Sequence, residues 1–252
     1  MAGTALRRRL SWTTAEVVEL IEENPRVRSI VLSVPGWDGH LPGQHVDIQL
    51  TAEDGYQAQR SYSLAAPADG ERLVITVELV ADGEVSTFLV EELRIGDVIE
   101  VRGPIGGYFV WEPSQGGPLQ LIGGGSGVVP LMAIVRHRVG VRDETPVRYL
   151  SSARSHDDLL YVQELSHLSA ADPGITVVHA LTRSHPPDWD GPTRRIDRQM
   201  LEEHAWPSQD DPLCFVCGPT GFVEAIGSSL VDVGYRPERV KTERFGPTGD
   251  TQ

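Results

Sequence analysis

The chain has 252 residues, 40% hydrophobic and 23% charged, which suits one large or two modest globular domains able to bury a core without staples. Its 22 Lys and Arg against 36 Asp and Glu give a net charge of −14, which argues against a general nucleic-acid binder and against docking on anionic lipid by charge alone. With only two cysteines, a disulfide framework and a cysteine-ligated iron–sulfur cluster held within this chain are excluded, and no apolar run approaches the roughly 20 residues of a membrane span.

At the N-terminus, Arg7-Arg8-Arg9 reads as a frayed end or a local basic patch. Glu16, Glu19, Glu22 and Glu23 interrupt the stretch that follows, so no signal-peptide core is present and a cytoplasmic protein is expected. Six short β-branched runs come next: 17–21, 27–34, 45–50, 60–65, 73–80 and 98–102. Turn clusters such as Leu41-Pro42-Gly43 and Asp54-Gly55 separate them, which predicts a small antiparallel barrel of six strands. Val85, Phe88, Leu89 and Leu93 have helical spacing, predicting a helix over 85–93.

Residues 112–118 read as a linker, after which the rhythm becomes β/α alternation. Strands are predicted over 119–122, 147–150, 175–181, 213–216 and 240–242, with helices over 128–139, 157–168, 196–204 and 222–233. That order predicts a parallel sheet covered by helices on both faces. The fold class is therefore two-domain, a six-stranded antiparallel β-barrel over 10–112 followed by an α/β nucleotide-binding domain over 118–245.

Leu119 to Pro130 combines a strand, the turn Gly123-Gly124-Gly125-Ser126-Gly127 and a helix start. Glycines let backbone N–H groups approach a diphosphate, and the helix N-terminus adds partial positive charge. The spacing is G-x-G-x-x-P rather than the Rossmann G-x-G-x-x-G, so the segment is either a dinucleotide site or a tight βα turn without a ligand. Leu213 to Cys217 contains C-x-x-C, but Cys214 and Cys217 on one strand face opposite sides and do not suit a shared metal.

Six motifs in order resemble the ferredoxin–NADP reductase family of flavoproteins over about residues 12–249. They are Arg60-Ser61-Tyr62-Ser63, Gly83-Glu84-Val85-Ser86, Gly103-Pro104-Ile105-Gly106, the Gly125–Pro130 turn, Cys217-Gly218-Pro219 and Glu243-Arg244-Phe245. Two departures stand out: no [2Fe–2S] domain is fused at either end, and seven residues follow Phe245.

The resemblance implies an oxidoreductase that moves hydride from NAD(P)H to FAD and then single electrons to a separate acceptor, a ferredoxin or an oxygenase component. Arg60 would grip the flavin diphosphate, although a lone Arg is otherwise a surface ion pair. Tyr62 would pack on the flavin, and Ser63 would stand near N5 as a catalytic residue. Val77 and Val80 would meet the isoalloxazine edge, or serve core packing. Gly83, Val85 and Ser86 would form the pyrophosphate loop, with Ser86 as N-cap of its helix. Gly125, Gly127, Gly218 and Pro219 would hold the nicotinamide nucleotide, with catalytic Cys217 beside nicotinamide C4 and Cys214 in the core. Catalytic Glu243 would join a proton network, and Phe245 would cover a flavin face unless the tail is frayed.

Ser152, Arg154 and Arg183 favour NADPH, with NADH as the alternative and with helix capping and solvated arginines as the plainer explanation. Asp157 and Asp158 would serve a helix dipole. Arg194, Arg195 and Arg198 offer a basic patch to an acceptor on an otherwise acidic protein. Two rival functions remain, direct reduction of a small molecule such as free flavin or a quinone, and a non-catalytic flavin-binding docking subunit.

Overall fold

The computed structural model describes residues 10–246. The Arg7–Arg9 run lies outside the described residues. Strands β1 (Thr13–Asn24), β2 (Val27–Ser33), β3 (His45–Thr51), β4 (Gln57–Ser63), β5 (Arg72–Glu78) and β6 (Val98–Ile105) form one antiparallel sheet in the order β4-β3-β6-β1-β2-β5. Alternation along the strands sends Val46, Ile48, Ile30, Leu32 and Ile75 into a shared interior. The two ends of the sheet join through one bridge, Leu64 to Ile75, just beyond β4. Along its own length β4 pairs with β3 alone, so its outer edge stays open.

The helix expected over 85–93 is shorter and irregular. A single α-turn, α1 (Glu84–Thr87), runs into a π-turn over Phe88–Glu92. Val85, Leu89, Val90 and Leu93 still face inward, and the widened turn sets that apolar stripe against the barrel.

The second domain has β7 (Leu119–Gly124), α2 (Val128–Gly140), β8 (Val147–Ala153), α3 (Val162–Ala171), β9 (Ile175–Leu181), α4 (Arg198–His204), β10 (Leu213–Pro219), α5 (Thr220–Asp232) and β11 (Val240–Phe245). The parallel sheet runs β11-β10-β7-β8-β9. Connections wind outward in both directions from β7 and β10, so the topological switch point lies between those two strands. On β10, Phe215 and Cys217 pack on one face and Cys214 and Val216 on the other, as strand alternation requires. No group of residues suited to a metal ion occurs among the described residues.

The helix expected from 157 begins later, at Val162. Ser155 opens a 3₁₀ turn, and its N–H and hydroxyl both donate to Asp158 (3.0 and 2.7 Å). Asp158 is thus bound within that turn and Asp157 lies in it too, rather than in the first turn of α3. Tyr161 then adopts a left-handed φ of +59° and separates the two helical pieces. Asp197 caps α4 by accepting from the Met200 N–H at 2.9 Å.

One core spans both domains. Phe109 and Trp111, just after the barrel, join Leu121, Leu131 and Phe215. Phe215 is fully buried, meets Phe109 edge-to-face at 5.1 Å and lies under the Lys241 ammonium at 5.1 Å. Phe215→Ala is expected to cost about 3–5 kcal/mol of stability, measured by urea unfolding.

Candidate active site

The barrel contributes its open edge. Arg60 is exposed on β4, and among the described residues its guanidinium meets no carboxylate, only the neighbouring Gln59 carbonyl at 2.6 Å. Two residues on, Tyr62 is half-buried against the barrel core, and burial pushes its phenol pKa up. Ser63 stands opposite His45 in the ladder, and its hydroxyl has no partner among the described residues. Val77 is fully buried in the barrel core, whereas Val80 is 58% exposed. The core-packing account therefore holds for Val77 and fails for Val80.

The loop between β5 and α1 closes tightly. The Ser86 hydroxyl donates to the Gly83 carbonyl (3.0 Å) and accepts from the Val80 N–H (3.2 Å). This corrects the capping role expected of Ser86: the N-cap is Gly83, and Ser86 sits inside the first turn as an internal brace. A Cβ on Gly83 would meet that hydroxyl at 2.5 Å, so the loop admits only glycine there. No side chain caps α1, so its first N–H groups have no side-chain acceptor.

The α/β domain contributes the switch point. Gly125 has φ +56° with open space where a side chain would be, which leaves the backbone bare. A Cβ on Gly127 would fall 2.7 Å from the Gly218 nitrogen and closer still to the Cys217 carbonyl. The turn is therefore pressed onto Cys217-Gly218, and it also lies against β5 of the barrel. Phe222 of α5 packs its ring where side chains on Gly124 and Gly218 would go.

In the sheet register Cys217 pairs with Gly123 on one side and Glu243 on the other, and Pro219 pairs with Phe245. Burial and the Glu243 carboxylate hold Cys217 well above the ordinary thiol range, so it is a thiol and not a nucleophilic thiolate. Burial alone raises Glu243 to about 7. Phe245 is exposed at the end of β11 and stacks on no ring among the described residues.

At the carboxyl ends of β8 and β9 lie Ser152, paired with Gly124, and the two arginines. The N–H groups of Arg183 and Ser184 both donate to the Arg154 carbonyl (2.9 and 3.2 Å), tying the loops together. Neither Arg154 nor Arg183 has an ion-pair partner among the described residues. Arg194 and Arg198 do: Arg194 meets Asp197 and Glu203, and Arg198 meets Glu202, so the expected basic patch is largely neutralised.

Sequence reasoning passed over a neighbouring group. Ser151 bonds the His179 Nδ1 at 2.6 Å, and His156 meets Trp189 edge-on at 6.0 Å. Burial lowers His179 to about 4, so its ring is neutral. Its signal was a histidine within the apolar run Val177-Val178-His179-Ala180-Leu181 near the carboxyl end of the strand.

Family models for an oxidoreductase FAD-binding domain and an oxidoreductase NAD-binding domain match residues 15–110 and 121–227. This chain belongs to the ferredoxin reductase family of NAD(P)H-dependent flavoprotein oxidoreductases. The chain is 30% identical over 248 residues to the glycine betaine monooxygenase reductase subunit of Chromohalobacter salexigens, covering 94% of this chain and 66% of that one. It is 30% identical over 221 residues to flavohemoprotein A of Dictyostelium discoideum, covering 82% and 53%. The chain thus spans about half to two thirds of these curated relatives. Among solved structures, the flavohem-like FAD/NAD-binding domain of nitric oxide dioxygenase from Vibrio cholerae superposes with a TM-score of 0.83 at 28% identity, covering 93% and 99%. No helix among the described residues is long and apolar enough to cross a membrane.

The residues of this family member fit a flavin dinucleotide. An uncompensated Arg60 on an open edge lies on the strand beside a glycine-only loop at a helix start, which suits a diphosphate. Gly127→Ala is expected to part the turn from β10, with a lower melting temperature and lost nucleotide binding, read by thermal unfolding and calorimetric titration. Glu243 supplies a pH test. The folded state keeps its proton up to about 7, whereas the unfolded chain releases it near 4.5. The folded state therefore binds more protons in that window, and stability falls as pH rises through it. Glu243→Gln is expected to flatten this slope in urea titrations repeated at a series of pH values.

Proposed function

We propose that this reductase takes hydride from NADPH onto FAD and delivers single electrons to a separate protein acceptor, a ferredoxin or an oxygenase component. The observation that carries the reading is the close packing of the Gly125–Gly127 turn onto Cys217-Gly218, at the switch point and against the barrel strand β5. When bound, the flavin supplies the redox chemistry, accepting two electrons at once as hydride and releasing them one at a time. The chain supplies binding, alignment and proton control.

Arg60 and the Gly83–Ser86 loop, with Val85 buried behind it, hold the diphosphate. Tyr62 and Val80 would line the bound flavin, Val77 would back it from the core, and the Ser63 hydroxyl, without a partner among the described residues, would be available to its redox-active ring. On the nucleotide side, Gly125, Gly127, Gly218 and Pro219 bring bare backbone to the diphosphate and the nicotinamide. The small Cys217 thiol leaves room for C4 and stays protonated. Glu243, with its pKa near neutrality, holds or releases a proton beside Cys217. Phe245, exposed at the end of β11, would be available to cover a face of the bound flavin.

NADPH is favoured over NADH because Arg154 and Arg183 are two cations without ion-pair partners on tied loops beside Ser152, in a chain of net charge −14. A dianionic 2′-phosphate satisfies both. Two free, buried cysteines suit a reducing cytoplasm.

Anaerobic titration of the FAD-loaded protein is expected to bleach the visible flavin bands with both nucleotides, at lower concentration with NADPH. Arg154→Ala/Arg183→Ala is expected to raise KM for NADPH by about 10–100-fold while leaving KM for NADH within about twofold, on the scale of one to two lost charge-assisted contacts. Equal effects on both nucleotides would overturn the NADPH assignment. Saturable stimulation of turnover by added ferredoxin checks the acceptor class.

A further inference from the structure

Two side chains of the α/β domain cross the seam and grip the barrel beside its flavin-facing segments. Arg136, on α2, donates through Nη1 to the Ala65 carbonyl at 2.7 Å, two residues beyond Ser63. Its other nitrogens hold Glu164 of α3 at 2.9 and 2.6 Å, and its guanidinium lies 4.9 Å over the Tyr161 ring. Tyr161, before α3, donates its hydroxyl to Thr76 Oγ1 at 2.6 Å, and Thr76 precedes Val77. Thr76 bonds Ser29 at 2.7 Å, and Ser29 donates to Glu23 at 2.6 Å. Tyr161 is the first donor, Thr76 and Ser29 each accept and donate, and the Glu23 carboxylate is the last acceptor, so the links strengthen one another.

The row runs from the residue preceding α3 through β5 and β2 to β1, and both Tyr161 and Thr76 are buried. Tyr161 holds a left-handed backbone that a bulky residue adopts at a cost, and such a conformation persists where its surroundings fix it. Arg136 belongs to the helix that follows the glycine turn, and Tyr161 follows β8. Both links therefore join the segment carrying one half of the site to the segment carrying the other.

We infer that Arg136 and Tyr161 are positioning residues that hold the two domains at the separation hydride transfer requires. The inference rests on the function proposed above. The step they time is the transfer of one hydride, two electrons with one proton, from nicotinamide C4 to the flavin, with NADPH oxidised and the flavin reduced. A misplacement of about 1 Å at such a step costs up to about 100-fold in rate.

The test is Tyr161→Phe, which removes one hydroxyl and keeps the ring. FAD content and the Kd for NADP⁺, which cannot reduce the flavin, are expected to match the parent. The stopped-flow rate of flavin bleaching by NADPH is expected to fall about 10–100-fold, with a larger isotope effect from C4-deuterated NADPH. Small-angle scattering is expected to show a larger radius of gyration. Thr76→Val reproduces these changes and Thr76→Ser restores parent behaviour. The double variant Tyr161→Phe/Thr76→Val is no slower than either single one, because both remove the same link. A parent-like bleaching rate in Tyr161→Phe, or a slower rate matched by weaker FAD or NADP⁺ binding, overturns the inference. If neither nucleotide bleaches the parent, the functional reading falls. The scattering comparison then decides the seam by itself, and equal radii overturn it too.

Discussion

The contact on which the site depends is between two pieces of backbone, the glycine turn after β7 and the Cys217-Gly218 end of β10. Nothing larger than hydrogen fits at Gly127. Because β7 and β10 are the strands from which the parallel sheet winds in opposite directions, no helix crossover fills the space above them. Topology therefore places the expected ligand crevice there, above the close backbone approach. The register of β10 with β11 sets Cys217 beside Glu243 at that end of the sheet.

Charge in this molecule is distributed by what has already been neutralised. Arg102 is bound to Asp47, Arg136 to Glu164 and Arg138 to Asp172, at 2.7, 2.6 and 2.5 Å. These arginines hold the barrel wall, the domain seam and the end of α2. Arg60, Arg154 and Arg183 meet no carboxylate among the described residues, a state they share with other arginines such as Arg26 and Arg148. What sets the three apart is their place along the proposed path of two dinucleotides in a chain of net charge −14. Electrostatics at the site thus comes from local absence of carboxylates, and the overall charge says little about it.

Burial fixes protonation with little help from charge pairs. It holds Cys214 and Cys217 as thiols, keeps His179 neutral and brings Glu243 to about 7. A carboxyl group that titrates near neutrality beside an inert thiol suits proton handling, whereas nucleophilic chemistry would need the thiolate.

Much of the molecule was legible in order along the chain. The alternation of Val46-Asp47-Ile48 and the β/α rhythm after residue 118 determined both sheets, because side-chain period follows directly from backbone geometry. The glycine turn, Cys217-Gly218 and the opposite facing of Cys214 and Cys217 were legible for the same local reason. Ser86 was misread as a cap because a serine at a helix start can bond forward or backward, and only the fold of the Val80–Gly83 loop selects which. Tyr161 broke a helix that periodicity had carried through it, because its left-handed backbone, next to side-chain contacts with Thr76 and Arg136, is not encoded in local spacing. The row from Tyr161 to Glu23 and the Ser151–His179 bond join residues far apart in sequence, and the neutralised Arg194 depends on how the chain turns into α4. The sequence by itself determined which elements form and which chemical groups exist. Tertiary structure alone decided which groups are free, which are spent on one another and how the two halves face, because those depend on long-range packing that local spacing does not encode.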